Sequence, residues 1–138
     1  MKDRLIGTWE LVSYETIEAD GGRGRPFGQA VGRLTYDAHD NMTGQVMRPN
    51  RPRVDRGEGV AQQVRAAYTG YIAYFGTYEI SADGASVVHH VRGALNPAWV
   101  GGDQIRGMRF EDGRLVLHAD VPKAGAIVRH VLTWTRIG

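Results

Sequence analysis

Gly7-Thr8-Trp9-Glu10-Leu11-Val12-Ser13-Tyr14-Glu15-Thr16-Ile17 alternates in character and is rich in aromatic and β-branched side chains, the pattern of a strand with one buried and one wetted face. The segment after it, Glu18-Ala19-Asp20-Gly21-Gly22-Arg23-Gly24-Arg25-Pro26-Phe27-Gly28, has too many glycines and charges for a helix or a ladder and reads as a long loop. Val31 to Tyr36 and Met42 to Met47 form a hairpin around the polar turn Asp37-Ala38-His39-Asp40-Asn41. The prolines of Arg48-Pro49-Asn50-Arg51-Pro52-Arg53-Val54-Asp55-Arg56 keep that stretch extended. Val60, Val64 and Ala67 or Tyr68 then recur at helical spacing, which predicts a helix near residues 57–68. Tyr71 to Ile80 and Val87 to Leu95 flank Asp83-Gly84, and Ile105 to Phe110 and Leu115 to Ala119 flank Asp112-Gly113. Both dipeptides favour two-residue type I′ hairpin turns. Ala126 to Arg136, entered through Pro122-Lys123-Ala124-Gly125, is the last strand.

These segments make eight strands, with long connections after the first, third, fifth and seventh and short ones after the second, fourth and sixth. The reading is therefore all-β: an eight-stranded up-and-down antiparallel barrel, with one short helix between the third and fourth strands and every long connection at one end, the mouth. An open sandwich of the same strands is the alternative. A length of 138 residues suits a single domain spanning 1–138. Nineteen glycines without a Gly-X-Y period fit many turns. Seventeen basic against fifteen acidic residues give a formal charge of +2, too little to imply a nucleic-acid partner. The absence of cysteine removes disulfides, thiolate nucleophiles and zinc knuckles. No apolar run approaches the ~20 residues that span a bilayer, and Met1-Lys2-Asp3-Arg4-Leu5 lacks the apolar core of a signal peptide. The expectation is a cytoplasmic protein without a membrane partner. Oligomeric state is left open, a homodimer included.

Gly7-Thr8-Trp9 together with Arg136 resembles the lipocalin and wider calycin pattern, in which an arginine of the last strand stacks on the tryptophan of the first. The set Gly32-x-Leu34-x-Tyr36, Ala73-Tyr74-Phe75-Gly76-Thr77-Tyr78, His89-His90-Val91, Asn96-Pro97-x-Trp99-x-Gly101 and Gln104-x-Arg106 resembles the bacterial and fungal lipocalin-like domain family of small stand-alone barrels, over nearly the whole chain. Residues 6–15 also resemble the start of fatty-acid-binding proteins, but residues 18–30 cannot build the helix pair of that family. The lipocalin-like resemblance implies a barrel with an interior pocket. Functions in that family are varied or unknown, some within secondary-metabolite pathways, so the resemblance supplies no reaction.

Strand parity then assigns faces. Trp9 must face inward to meet Arg136, which takes Leu11, Ser13 and Glu15 inward and Thr8, Glu10 and Val12 outward. On the last strand Trp134, Leu132, His130 and Val128 share the inner face. An unbroken antiparallel register places Glu15 opposite His130. The Asp83-Gly84 turn pairs Tyr78 with His89 and Tyr74 with Gly93, so Tyr74, Gly76, Tyr78 and His89 face in, while His90 and Arg92 face out. A one-residue bulge there would exchange His89 for His90, and that alternative stays open. The Asp112-Gly113 turn pairs Phe110 with Leu115 and Met108 with Leu117, which turns Arg106 and Met108 inward.

An inward guanidinium needs an anion, either Glu15 or a ligand carboxylate, phenolate or enolate. Tyr74 can stack on a planar ligand and donate a hydrogen bond; Tyr36 and Met108 complete the wall. His89 and His130, with Glu15 and Tyr78 beside them, are candidate acid–base groups. Metal is not expected, because the tandem His89-His90 sends its rings to opposite faces and no third ligand has suitable spacing. No cofactor is expected either, haem on one inward imidazole being the remote exception. Trp99 and Phe27 lie at the mouth, where they would cover a ligand. Arg48, Arg51, Arg53 and Arg56 are either a solvated loop or an attractor of acidic ligands. The Val60/Val64/Tyr68 stripe reads as the face by which the helix seals the barrel. Two functions compete. One is binding of a small apolar molecule, aromatic or polyketide-like. The other is a cofactor-independent cyclase, isomerase or hydro-lyase, in which His89 or the Glu15–His130 pair moves a proton and Arg106 stabilises negative charge.

Overall fold

Across the first and last strands Trp9 stands opposite Arg136, with the guanidinium carbon 4.4 Å from the indole ring centre. That contact closes the sheet in the computed structural model, which describes residues 1–55 and 57–138. Arg56, one member of the expected arginine cluster, lies outside the described residues. The order is α1 (Lys2–Leu5), β1 (Gly7–Ile17), β2 (Arg23–Gly24), β3 (Val31–Tyr36), β4 (Asn41–Met47), α2 (Val60–Thr69), β5 (Tyr71–Ile80), β6 (Ser86–Ala94), a short 3-10 turn (Pro97–Trp99), β7 (Asp103–Glu111), β8 (Arg114–Lys123) and β9 (Ala126–Arg136). Every strand pairs antiparallel with its neighbour, and β9 returns to β1, so the eight long strands form a closed up-and-down barrel. The ninth, β2, is a two-residue addition that pairs with the upper end of β1. Counting it, the helix follows the fourth strand rather than the third; the interval in the chain is the one the spacing predicts.

Residues 18–30, 48–55, 57–70 and 95–102 emerge at one end, as the alternation of connection lengths predicts. The seventh connection lies at the same end but is not long, because β8 and β9 keep pairing through Val121↔Val128 and Pro122↔Ile127 to Lys123↔Ala126. Only Ala124-Gly125 remains as a turn, with φ of 50° and 80°. At Asp112-Gly113 both residues have positive φ, 53° and 77°, the type I′ geometry. The other hairpin differs: Ser81 and Ser86 pair, so Ala82-Asp83-Gly84-Ala85 is a four-residue loop. Its centre coincides with that of a two-residue turn, so Tyr78 still meets His89.

The end away from the long connections is filled. Leu5 of α1 is fully buried, and its carbonyl accepts the Trp9 indole N–H at 2.9 Å. Arg136 donates to the carbonyls of Arg4 and Ile6, and Arg4 stacks on Phe110 at 4.2 Å. Above this plug lie Trp9, Leu11, Leu34, Tyr36, Met42, Tyr78, Val87, Met108, Leu115 and Trp134, all buried. The helix α2 does not seal the opposite end with its apolar stripe: Val60, Val64 and Tyr68 are 37%, 50% and 42% exposed. It is held instead near its C-terminus, where Arg51 donates to the Ala67 carbonyl at 2.9 Å and stacks on Tyr71 at 4.9 Å. Among the described residues no helix is long and apolar enough to cross a membrane.

On the outer face His90 clips three strands together. Its Nδ1 lies 2.7 Å from Asp103 on β7 and its Nε2 3.5 Å from Glu79 on β5. The Asp103 hydrogen bond, aided by Glu79, raises the imidazole above its ordinary value. A raised folded pKa contributes stability that is fully present below the unfolded value, about 6.5, and is lost as pH rises through the folded one. The stability difference between the natural protein and His90→Gln should therefore be largest near pH 6 and shrink toward pH 9 (both about), as urea titrations at each pH will read. Replacing Arg136 by methionine should lower the unfolding free energy by about 1–3 kcal/mol through the lost stack and carbonyl contacts. An unchanged urea midpoint would show that closure does not rest on that side chain.

Candidate functional site

Above the packed floor the barrel holds a cavity of about 370 Å³, open toward the long connections. Val46, Ile72, Leu117, Leu132 and Trp134 form its apolar wall, and Tyr14, Tyr74, His89, Gln104, Arg106 and His130 bring polar atoms to it.

A bulge in β1 sets which groups these are. Trp9↔Arg136 and Leu11↔Trp134 keep a constant register, but Ser13 then pairs with Thr133, leaving Val12 without a partner. One extra residue on a strand exchanges its two faces from that point on. Tyr14 therefore turns inward and is buried, whereas Glu15 turns outward, 4.0 Å from Arg23. The expected Glu15–His130 pair does not exist. In its place the Tyr14 hydroxyl lies 2.7 Å from His130 Nδ1. A second bulge, at Phe75/Gly76, moves Tyr74 from opposite Gly93 to opposite Ala94 without changing the faces of Tyr74, Tyr78 or His89.

His89 is 2% exposed and faces inward, and the open question of His89 or His90 resolves as the regular turn register requires. Tyr36 Oη lies 2.6 Å from its Nε2 and Tyr74 Oη 2.6 Å from its Nδ1. Burial first, then the nearby Arg106 charge, lowers its pKa to about 3. His89 is thus a neutral bridge with both nitrogens occupied, without a free lone pair for a substrate proton.

Arg106 faces the same cavity. Its Nη2 donates to Gln104 Oε1 at 2.8 Å and its Nη1 to the Ile105 carbonyl at 3.0 Å. Among the described residues it makes no ion pair, whether with Glu15 or with any other carboxylate. Its positive charge opposes protonation of His130, whose pKa is lowered by burial and then by Arg106. His130 Nε2 has no hydrogen-bond partner among the described residues.

The other expected site residues sit elsewhere. Tyr78 donates to the Asp37 carbonyl at 2.7 Å and packs edge-on to Tyr36, so it belongs to the filled end rather than to any acid–base group. Met108 is part of the same core and off the cavity wall, and Tyr36 reaches the cavity only through His89. Phe27 packs edge-on against Tyr14 at 5.4 Å instead of covering the opening, while Trp99 does line the cavity, edge-on to Tyr74 at 6.1 Å. Arg48 donates to the Pro26 carbonyl and lies over Phe27, and Arg51 holds α2, so these two fasten the loops of the mouth. Among the described residues no group of three or more His, Cys, Asp or Glu side chains could hold a metal ion. Sequence reasoning missed Tyr14 and Gln104 as wall residues. The available signal for Tyr14 was the apolar spacing Trp9, Leu11, Tyr14, which steps by two and then by three.

The sequence profile described as a lipocalin-like domain matches residues 6–137. No curated protein matches the chain significantly. Among solved structures, the chain is similar to the siderocalin Ex-FABP, described as functioning through dual ligand specificities, with 11% identity over 97% of this chain and 71% of that one and a TM-score of 0.39. It is also similar to a mutant of the fluorescent protein UnaG, with 13% identity over 100% of this chain and 99% of that one and a TM-score of 0.43.

Because the folded pKa of His89 lies below its unfolded value, stability is present above about pH 6.5 and lost as pH falls toward about 3. Nitrogen chemical shifts of His89 should show a neutral ring down to about pH 4. In His89→Gln, the acid-side slope of stability against pH should decrease by close to one proton.

Proposed function

The chain belongs to the lipocalin-like domain family, and from that premise we propose that its barrel holds one small, planar, largely apolar molecule whose anionic or enolic oxygen is read by Arg106. The observation that carries this reading is a guanidinium at an interior cavity with no carboxylate beside it. Arg106 is half-buried, and withdrawing a cation even partly from water costs free energy unless an anion and good hydrogen bonds offset it. Gln104 supplies a dipole and no charge. An oxyanion on the ligand would complete the site, and the fork of the guanidinium favours a carboxylate, phenolate or enolate.

The rest of the wall supports the class of molecule. The apolar side chains of the wall and the ring edges of Tyr74 and Trp99 suit a flat aromatic or polyketide-like body. The volume lies near the lower end of the roughly 300–1,000 Å³ usual for small-molecule sites. The enzymatic alternative narrows on the same geometry: Glu15 is outside and His89 is fully engaged, which leaves His130 as the one imidazole at the cavity with an unengaged nitrogen among the described residues.

Two fluorescent probes of the same shape and different charge test the binding reading. Anilinonaphthalene sulfonate should bind the protein, and Arg106→Gln should weaken it about tenfold or more, equivalent to about 1.4 kcal/mol. Phenylnaphthylamine, which lacks the sulfonate, should bind both proteins within about twofold of each other. Unchanged affinity of Arg106→Gln for the sulfonate would overturn the assignment of Arg106.

A further inference from the structure

We propose that the cavity catalyses proton transfer at a carbon next to a carbonyl in a planar fused-ring ketone, with His130 as the base and Arg106 and Tyr74 as the donors that hold the enolate oxygen. The proposal rests on the ligand-binding reading above and adds an activity to it.

The argument begins with the direction of the hydrogen bonds around His89. A neutral imidazole has one donor and one acceptor nitrogen, so one of its two tyrosines donates to it and the other accepts. Tyr36 is 1% exposed, and among the described residues its hydroxyl has no other partner than His89. Were Tyr36 to accept, its own O–H would be buried with no acceptor, at a cost of about 1–3 kcal/mol. Tyr36 therefore donates to Nε2, and Nδ1–H donates to Tyr74 Oη. Arg106, beside Tyr74, can only donate as well. With its oxygen accepting from His89 and facing the guanidinium, Tyr74 has its proton free for the cavity. Burial pushes its phenol up, which keeps it a donor. A tyrosine O–H and a guanidinium N–H then converge on one region of the cavity, the arrangement that stabilises a developing oxyanion.

The base comes from another part of the wall. His130 and Tyr14 stand on β9 and β1, Tyr74 and Arg106 on β5 and β7, and in the closed strand order β9 and β5 are half a barrel apart, with β7 between them. A flat ketone lying between them has its oxygen toward Arg106 and Tyr74 and a neighbouring C–H toward His130. Tyr14 Oη can accept the Nδ1–H of His130, which leaves the Nε2 lone pair free and stabilises the imidazolium once formed. Burial and Arg106 keep this ring neutral before the reaction. In the forward step the C–H bond breaks, Nε2–H forms, and the electron pair moves through carbon to the oxygen as an enolate. In the return step Nε2–H gives the proton to the same carbon or, in a conjugated enolate, to a carbon further along. The net change is proton exchange or isomerisation, and no oxidant, reductant or co-reactant is consumed.

The test uses β-tetralone, a fused-ring ketone with an acidic CH₂ beside its carbonyl, in D₂O with proton NMR as the readout. The protein should accelerate loss of the CH₂ signal about a hundredfold over buffer, in the range expected for general-base catalysis. His130→Gln should return the rate to within about a few-fold of buffer while keeping the far-UV circular dichroism and the cooperative urea transition of the natural protein, which shows that the variant is folded. Arg106→Gln should slow exchange about tenfold or more. Equal rates in the natural protein and His130→Gln, or no acceleration in a protein that binds the sulfonate probe through Arg106, would overturn the proposal and leave the binding reading standing. Failure of both fluorescent probes to bind would remove the binding reading, and this proposal with it.

Discussion

Val12, which has no partner on β9, decides what charge the barrel interior carries. Had β1 kept the register set by Trp9 and Arg136, Glu15 would point into the cavity beside His130, and Arg106 would have a carboxylate within the protein. The interior would then be neutral and self-satisfied, with no electrostatic demand on a ligand. The bulge turns that carboxylate outward, where it faces Arg23, and brings the hydroxyl of Tyr14 inward to His130. A local change of one residue thus replaces an inward carboxylate by a hydroxyl and leaves Arg106 at the cavity without a carboxylate partner among the described residues.

The two ends of the barrel divide the work. At the filled end, the Trp9–Arg136 stack, α1 and the buried aromatic side chains fix the frame. Tyr36 spans the two halves: it packs on Tyr78 below and bonds His89 above. The rotamer of His89, and through it the hydroxyl of Tyr74, is therefore held by the core rather than by solvent. Preorganised dipoles of this kind need not reorient when charge develops, and this makes them effective in a low-dielectric site.

Much of the fold was legible because it rests on features that repeat. Turn chemistry at Asp83-Gly84 and Asp112-Gly113, the alternation of connection lengths and the Trp9–Arg136 pair each constrain many residues at once. The last strand, which has no bulge opposite its inner residues until the β1 register shifts, was read correctly from parity: Val128 and Trp134 are buried, and His130 and Leu132 line the cavity. Single-residue events were not legible. A bulge leaves an apolar pattern nearly intact, so Leu11 and Tyr14 can both be interior without alternation announcing it. The apolar spacing of Val60, Val64 and Tyr68 revealed a helix but not its orientation, because a stripe buried only by tertiary contact looks the same as one that is not. Pairing of residues 119–123 with 126–130 depended on each strand finding the other, which no local signal near Pro122 indicates.

The central claim is that the cavity presents an unpaired guanidinium to its ligand because Glu15 lies outside. A crystal structure of the complex with anilinonaphthalene sulfonate tests it most directly. The account predicts a sulfonate oxygen within hydrogen-bond distance, about 2.7–3.1 Å, of both Arg106 and Tyr74 Oη, with Glu15 on the outer face. A sulfonate bound outside the barrel, or the Glu15 carboxylate found inside and paired with Arg106, would contradict it.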